Sequence, residues 1–375
     1  VAPAAAQTPV RITGRVVDTT GAVVPGATVT LRGPSGARLA TVVSDAAGQY
    51  AVDAPAAGRY VVTAVLDGFS MARTEVALAA TPLAIDLVLR PGGLAEDLTV
   101  VGSSLAGSEE MLRRTPGSFD LLTRDTLEAS RVFTTNEALR KVPGVTVRDE
   151  EGLGLRPNIG IRGLNPTRSA KVLLLEDGVP TAFAPYGDNA SYYHPPIERF
   201  DRVEVLKGSS QIAHGPVTLG GVVNYITPEA PARPSYAFDL TGGNRAYANV
   251  GGSVGGTWAG TGVFAQAVRK QSDGARDNIH SDLLDVMAKA TRSFGATRHL
   301  GLKANYYGED SQVTYSGLRE AEYQANPRQN PFANDRFVGH RVGLSATYRA
   351  LAWSRVALTG TVYGSSFDRD WWRQS

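Results

Sequence analysis

Residue types able to do covalent or metal chemistry are few in this chain and poorly spaced for it. The five histidines, His194, His214, His280, His299 and His340, form neither an HExxH arrangement nor another close zinc-ligand spacing, and there is no cysteine to supply a thiolate. No GxSxG turn and no Walker loop is present. Glu176 and Asp177 are adjacent, and neighbours on an extended strand point to opposite faces, where they would not flank one substrate. No catalytic residue, resident metal or cofactor is therefore expected. The remaining groups suit binding: 38 lysines and arginines, and an aromatic-rich stretch FAPYGDNASYYH at residues 183–194.

The elements that must position these groups are mainly β. The 375 residues include 41 Gly and 21 Pro, a balance that favours strands and turns over a helical bundle. A net charge of +2 with no basic stripe argues against a nucleic-acid partner. No run approaches the roughly 20 apolar residues of a spanning helix, so any membrane span has to be built from strands.

Residues 1–9, with VAPAAAQ, read either as the tail of a removed secretory signal or as an ordinary disordered terminus. Residues 10–90 alternate β-branched runs with turn signals, as in RITGRVVD and GRYVVTAVLDGF, which suggests a small β-sandwich with a tight turn at Pro25 and Gly26. This stretch resembles the carboxypeptidase regulatory-like domain. Residues 91–108 read as a Pro-, Gly- and Ser-framed linker with one sticky run. Residues 109–230 read as an α+β domain, in which Thr134 and Glu137 make a capping box and Pro143 with Gly144 stops the helix. From residue 231 to 375 the pattern turns to two-residue alternation: Leu300, Leu302, Ala304 and Tyr306 share one face, while Gly301, Lys303, Asn305 and Tyr307 share the other. One face suits lipid and the other water, although sandwich strands alternate too.

Two segments carry a resemblance. GLGLRPNIGIRGLNPTRSAKVLLLEDGVPTAFAPYG and YYHPPIERFDRVEVLKGSSQIAHGPVTLGGVVNYIT are similar to the plug domain of TonB-dependent outer-membrane receptors, the ferric citrate receptor branch above all. The resemblance implies a sandwich, an α+β plug and the first strands of a transmembrane antiparallel β-barrel. Residues 231–375 would supply only about a third of a barrel of about 22 strands, at roughly 10 residues per strand plus loops, so the barrel read here is incomplete.

The resemblance further implies active import of a ferric chelate across the outer membrane, with iron present only as cargo. The expected partners are the TonB energy-transducing complex, outer-membrane lipid and the chelate itself. Asp97, Leu98, Thr99, Val100 and Val101 resemble a TonB box in the periplasm, a β-prone run able to add to a partner sheet; alone it would pass for an ordinary linker. Arg162 and Lys207 become candidates for plug-to-barrel pairing with wall carboxylates, against the alternative of solvated strand ends or ion pairs within the plug. Asn165, Thr167, Arg168, Tyr186 and Asp188 become candidates for cargo contact, against the alternative that the tyrosines pack on the barrel and Arg168 caps a turn. Gly208, Gly215, Gly220 and Gly221 read as structural.

Asp188 departs from the uncharged amide expected in the ferric citrate branch. The sandwich also stands where that receptor carries a signalling domain, so control of an anti-sigma partner is not implied. The rival readings are an importer of carbohydrate or another non-iron ligand, then a structural or adhesive β protein.

Overall fold

The structure is a computed structural model that describes residues 9–18, 21–33, 38–66, 69, 72–79, 81–89, 117–150, 153–182, 192–208, 214, 218–295, 297–314, 316–352 and 356–374. The chain divides into two compact units, one of residues 1–96 with 353–356 and the other of residues 97–352 with 357–375.

The first unit is a two-sheet sandwich. One sheet centres on β1 (Val10–Asp18), and the other runs through β2 (Thr28–Arg32), β3 (Arg38–Val43), β5 (Gly58–Val65) and β6 (Ala72–Leu78). β4 (Gln49–Ala54) pairs antiparallel with β1, whereas β7 (Leu83–Ala84) and β8 (Leu87–Leu89) pair parallel with it. Along β4, Tyr50, Val52 and Ala54 turn inward and Gln49, Ala51 and Asp53 outward, the period that packs one sheet face on another. Ile12, Leu31, Val62 and Leu87 close the core. The turn expected at Pro25 is present, with Gly26 at φ 79°.

The second unit opens with β9 (Ser118–Leu122), two short helices α1 (Arg124–Ala129) and α2 (Thr135–Leu139), and the pair β10 (Val145–Arg148) and β11 (Asn158–Ile161). Thr134 caps α2 by accepting from the Glu137 amide at 3.2 Å, but the Glu137 carboxylate reaches one residue further back than a capping box requires, to the Phe133 amide at 2.8 Å. A five-stranded sheet follows in the order β13 (Val179–Pro180), β12 (Val172–Glu176), β15 (Gly221–Ile226), β14 (Arg202–Lys207), β9. Only β12 and β15 are parallel. Both faces of this sheet are covered. Val172, Leu174, Val203, Val205, Val223 and Tyr225 pack on one side, and Leu173, Leu175, Leu206 and Val222 on the other. That is why VLLLE and GVVNYI are near-continuous apolar runs, interrupted by Glu176 and Asn224, instead of alternating ones.

Seven antiparallel strands then form a meander: β16 (Ser235–Gly242), β17 (Ala248–Trp258), β18 (Thr261–Asp273), β19 (His280–Ser293), β20 (Arg298–Gln312), β21 (Arg336–Ala352) and β22 (Val356–Trp372). A two-residue turn at Ala259 and Gly260, with φ 47° and 74°, joins β17 to β18 at one end, the twist-matched geometry of a tight hairpin. At the other end residues 313–335, with helix α3 (Glu320–Ala325), join β20 to β21. The outward face exposes Tyr236, Phe238, Leu240, Leu302, Val342 and Leu344, while the inward face buries Leu283, Asp285, Met287 and Tyr307 against the plug. The two faces of β20 are those read from the alternation. Strands of 11 to 17 residues from β17 onward meet or exceed the roughly 9–11 that a tilted membrane strand needs.

Gly221 shows how tightly the plug sheet is drawn together. Its φ is +152°, and a Cβ there would lie 2.5 Å from the Leu206 carbonyl oxygen. Gly221→Ala is expected to destabilise the second unit by about 1–3 kcal/mol, read as a lowered midpoint in thermal unfolding. An unchanged midpoint would show that the strand can shift freely.

Candidate functional site

The plug meets the inner wall through buried charges. The chain turns at Pro195 and Pro196, which disfavour both helix and ladder pairing, into a single 3-10 turn, Ile197–Arg199, that aims Arg199 at β19. The Arg199 Nε donates to Asp285 Oδ1 at 2.9 Å, and Nη2 donates to the other oxygen of the same carboxylate. Nη1 donates to Glu176 Oε2 at 2.8 Å and to the Tyr193 hydroxyl at 2.9 Å. Arg199 is fully buried. Its planar fork can hold two carboxylates at once, which a lysine ammonium would do less rigidly.

From Glu176 the network continues into the wall. Lys303 on β20 donates to Glu176 Oε1 at 2.9 Å and to Asp177 Oδ2 at 2.6 Å. This overturns the expectation that these adjacent carboxylates face apart. Asp177 lies in the β12–β13 turn at φ 51°, so the two side chains converge on one ammonium. Thr227 donates its amide and hydroxyl to Asp177 at 2.9 and 2.6 Å. Lys289 of β19 pairs with Glu229 at 2.9 Å and lies 3.9 Å from Asp177. Higher on the wall, Arg156 pairs with Glu309 at 2.6 Å, and Lys270 pairs with Glu198 at 2.9 Å while donating to the Phe133 carbonyl at 2.5 Å. Aromatic rings close the gaps: Tyr193 meets Tyr307 edge-on at 5.0 Å, and Tyr192 meets Trp371 at 5.7 Å.

Burial works against the Glu176 charge, but Arg199 and Lys303 outweigh it and hold its pKa down to about 2. Asp177 is opposed by burial in the same way and held below the usual carboxylate range by Lys289 and Lys303. His194, packed edge-on to Tyr225 at 4.9 Å, is pushed by burial down to about 3 and stays neutral as a packing ring.

The sequence-predicted site residues fall into three groups. Lys207 does not reach the wall: it is buried inside the plug, paired with Asp120 at 2.5 Å and donating to the Pro143 carbonyl at 2.6 Å. The pairing of β14 with β9 sets Lys207 opposite Ser118, and this brings Asp120 within reach. Arg162, at φ 55° and exposed, donates its amide to the Gly144 carbonyl at 2.8 Å and has no carboxylate partner on the wall among the described residues. Wall pairing falls instead to Arg156, Arg199, Glu176, Asp177 and Glu198. Their only sequence signal was charge inside otherwise buried text, as in LRPNIG and PPIERF.

In the second group, Asn165 accepts from the Thr167 amide and hydroxyl at 3.0 and 2.8 Å, which ties the loop to itself. Arg168 is exposed at φ 57°, its amide donating to Asn158 Oδ1 at 2.7 Å. The third group, Tyr186, Asp188 and Asp97, Leu98, Thr99, Val100 and Val101, lies outside the described residues, as does Gly215. At the long-loop end of the strands a cavity of about 600 Å³ opens between α2 and the loops after β16 and β18, lined in part by Phe133, Glu137, Arg245, Tyr247 and Lys270.

A domain held by ion pairs against the inner face of an outward-apolar antiparallel sheet is the arrangement of a plugged β-barrel. Residues 111–222 match the TonB-dependent receptor plug domain and residues 11–90 the carboxypeptidase regulatory-like domain. The chain is 28% identical over 187 residues to a vitamin B12 transporter, BtuB, of Photobacterium profundum, covering 50% of this chain and 30% of that protein. It is 28% identical over 167 residues to an iron-regulated outer membrane virulence protein of Vibrio cholerae, covering 42% of this chain and 25% of that one. The chain thus spans less than a third of the length of these two relatives. Among solved structures, the unliganded ferric citrate transporter FecA shares the fold at a TM-score of 0.63 and 24% identity, covering 72% of this chain and 42% of that one. The siderophore receptor PiuA of Acinetobacter baumannii does so at 0.56 and 18% identity, covering 72% and 39%. The chain carries the plug domain of TonB-dependent receptors, a class that is not one of enzymes, with a carboxypeptidase regulatory-like domain ahead of it.

The pKa of Glu176 gives a test of the seat. A folded value near 2 lies below the unfolded one of about 4.3, so the stabilisation is present above about pH 4 and is lost as pH falls from there through about 2. Lys303→Met removes one of the counter-ions. It should lower stability at pH 7 by about 3 kcal/mol and move the acid-unfolding midpoint, followed by tryptophan fluorescence, to higher pH. Superimposable acid curves would show that Lys303 contributes nothing to the seat.

Proposed function

We propose that this receptor imports a ferric chelate across the bacterial outer membrane, driven by the TonB energy-transducing complex. The observation that carries the reading is the belt of buried plug-to-wall ion pairs. A passage stoppered this way opens only when work is done on the plug, and an outer membrane has no nucleotide supply of its own to do it. Residues 97–101, DLTVV, are the segment through which that work enters, by adding a strand to a partner sheet on the periplasmic side. Iron enters only as part of the cargo.

Cargo recognition is assigned to the loop with Asn165, Thr167 and Arg168 and to the stretch with Tyr186 and Asp188. The fixed backbone around Arg168 supports this, because a side chain presented from a pinned φ of 57° loses little freedom on binding. A guanidinium suits the carboxylates or other oxygens of an anionic chelate. The names of the relatives divide between iron and vitamin B12, and a non-iron cargo such as a corrinoid is the second reading, favoured by that similarity.

Deletion of residues 97–101 is expected to abolish uptake of radiolabelled cargo by cells while surface binding stays within about twofold of the parent. Undiminished uptake would remove the TonB-box assignment.

Arg168→Ala is expected to weaken ferric citrate or ferric hydroxamate binding by roughly tenfold or more, the loss of one charge-assisted hydrogen bond, in titrations run beside cyanocobalamin and a glycan. Loss confined to cyanocobalamin would favour the second reading, and unchanged affinity for every probe would place the contacts elsewhere.

A further inference from the structure

Between the β12–β13 hairpin and the inner face of β20, β21 and β22 lies a cavity of about 370 Å³. Its polar lining includes Thr181, Asn305, Arg341, Ser345, Tyr363 and Ser365. Arg341, on β21, is 8% exposed. Its Nη2 donates to Ser365 Oγ at 3.2 Å, and its guanidinium carbon lies 4.2 Å from the centre of the Tyr193 ring. Among the described residues the buried Nε has no hydrogen-bond partner, and neither has the Oδ1 of Asn305, which lines the same cavity.

What sets Arg341 apart is that no counter-ion for it stands among the described residues. Among the described residues, the buried cations Arg156, Arg199, Lys207, Lys270 and Lys289 each pair with a carboxylate within 4 Å. Arg341 does not. The carboxylate that shares its cavity is Glu176, whose two oxygens are already taken by Arg199 and Lys303. A buried guanidinium without an anion is strongly disfavoured, and a ring face offsets only part of that. A fork aimed into a polar cavity is the usual geometry for holding a planar oxyanion. Asn305 adds a second donor when its amide is turned over, since oxygen and nitrogen exchange places in such a group.

We infer that this cavity is an oxyanion site anchored by Arg341, taking a carboxylate or phosphate group between plug and wall. Its volume is at the small end for ligand pockets, roughly 300 Å³ upward, and suits a compact polyanion. The group belongs either to a free small anion or to an anionic chelate on its way past the plug. The site itself depends on neither cargo reading.

The test is calorimetric titration of the purified intact receptor with iron-free citrate, inorganic phosphate and ferric citrate at constant ionic strength. Binding of citrate or phosphate alone, weakened at least about tenfold in Arg341→Gln, establishes the site with a free anion as its source. Binding of ferric citrate alone, weakened likewise, establishes it with the chelate as the source. Ser365→Asp separates loss of the site from loss of the fold. It gives Arg341 a counter-ion in place, so anion binding should disappear while the thermal midpoint rises by a few degrees, opposite to the effect of a damaged fold. The inference is overturned if no probe binds the parent, if Arg341→Gln binds as the parent does, or if Ser365→Asp retains the affinity.

Discussion

A charge buried between plug and wall has to meet its opposite, and that requirement fixes where the plug stands. Asp285, Arg199, Glu176, Lys303 and Asp177 form one connected path from β19 through the plug to β20, with Lys289 and Glu229 continuing it at the lower end. Each ion loses several kcal/mol of hydration on burial. The pairs therefore contribute little net stability, yet a plug displaced by one residue along the wall would leave several charges unmatched. The path selects a seat more than it strengthens one. It is also separable: two unit charges 4 Å apart attract by about 4 kcal/mol at an effective dielectric of 20 but by about 1 kcal/mol in water. Once water follows the plug out of its seat, the released charges are solvated instead of stranded.

The wall can offer such charges because its strands are two-sided. On β19, Leu283, Asp285, Met287 and Lys289 face inward while Leu284 and Val286 face outward. A lysine inside a membrane-spanning strand is tolerable on the lumen side, where water or the plug receives it, and destabilising on the lipid side. The same alternation that makes the outer face apolar thus makes the inner face the only place for the pairing groups.

Among the described residues, two cavities border the seated plug. One is the cavity at the long-loop end beside Phe133 and Tyr247, and the other is the smaller space beside Arg341. The Tyr193 to Tyr307 contact belongs to the apolar cluster that also holds Leu153, Leu155 and Leu283. Tyr193 connects the two kinds of packing, since its hydroxyl accepts from Arg199 while its ring lies under Arg341. Movement of the YYH stretch would therefore act on the ion-pair path and on the Arg341 cavity together.

Local features were legible in the sequence. The alternation in HLGLKANYYG assigned both faces of β20, Thr134 marked the start of α2, and Pro25 with Gly26 marked a turn, because each depends on residues within a few positions of one another. The sequence also singled out the plug by its text. It could not say which cations bind the wall. Lys207 and Arg199 look alike as charges near strand ends, and what separates them is a partner: Asp285 lies 86 positions from Arg199, Lys303 lies 127 from Glu176, and Glu309 lies 153 from Arg156. Nor could it see that Asp177 leaves the extended conformation, which turns two carboxylates that would diverge on a strand into one clamp. Type, period and capping are decided by neighbours along the chain; the counter-ion of a buried charge is decided by register between distant strands, and only the folded sheet sets that register.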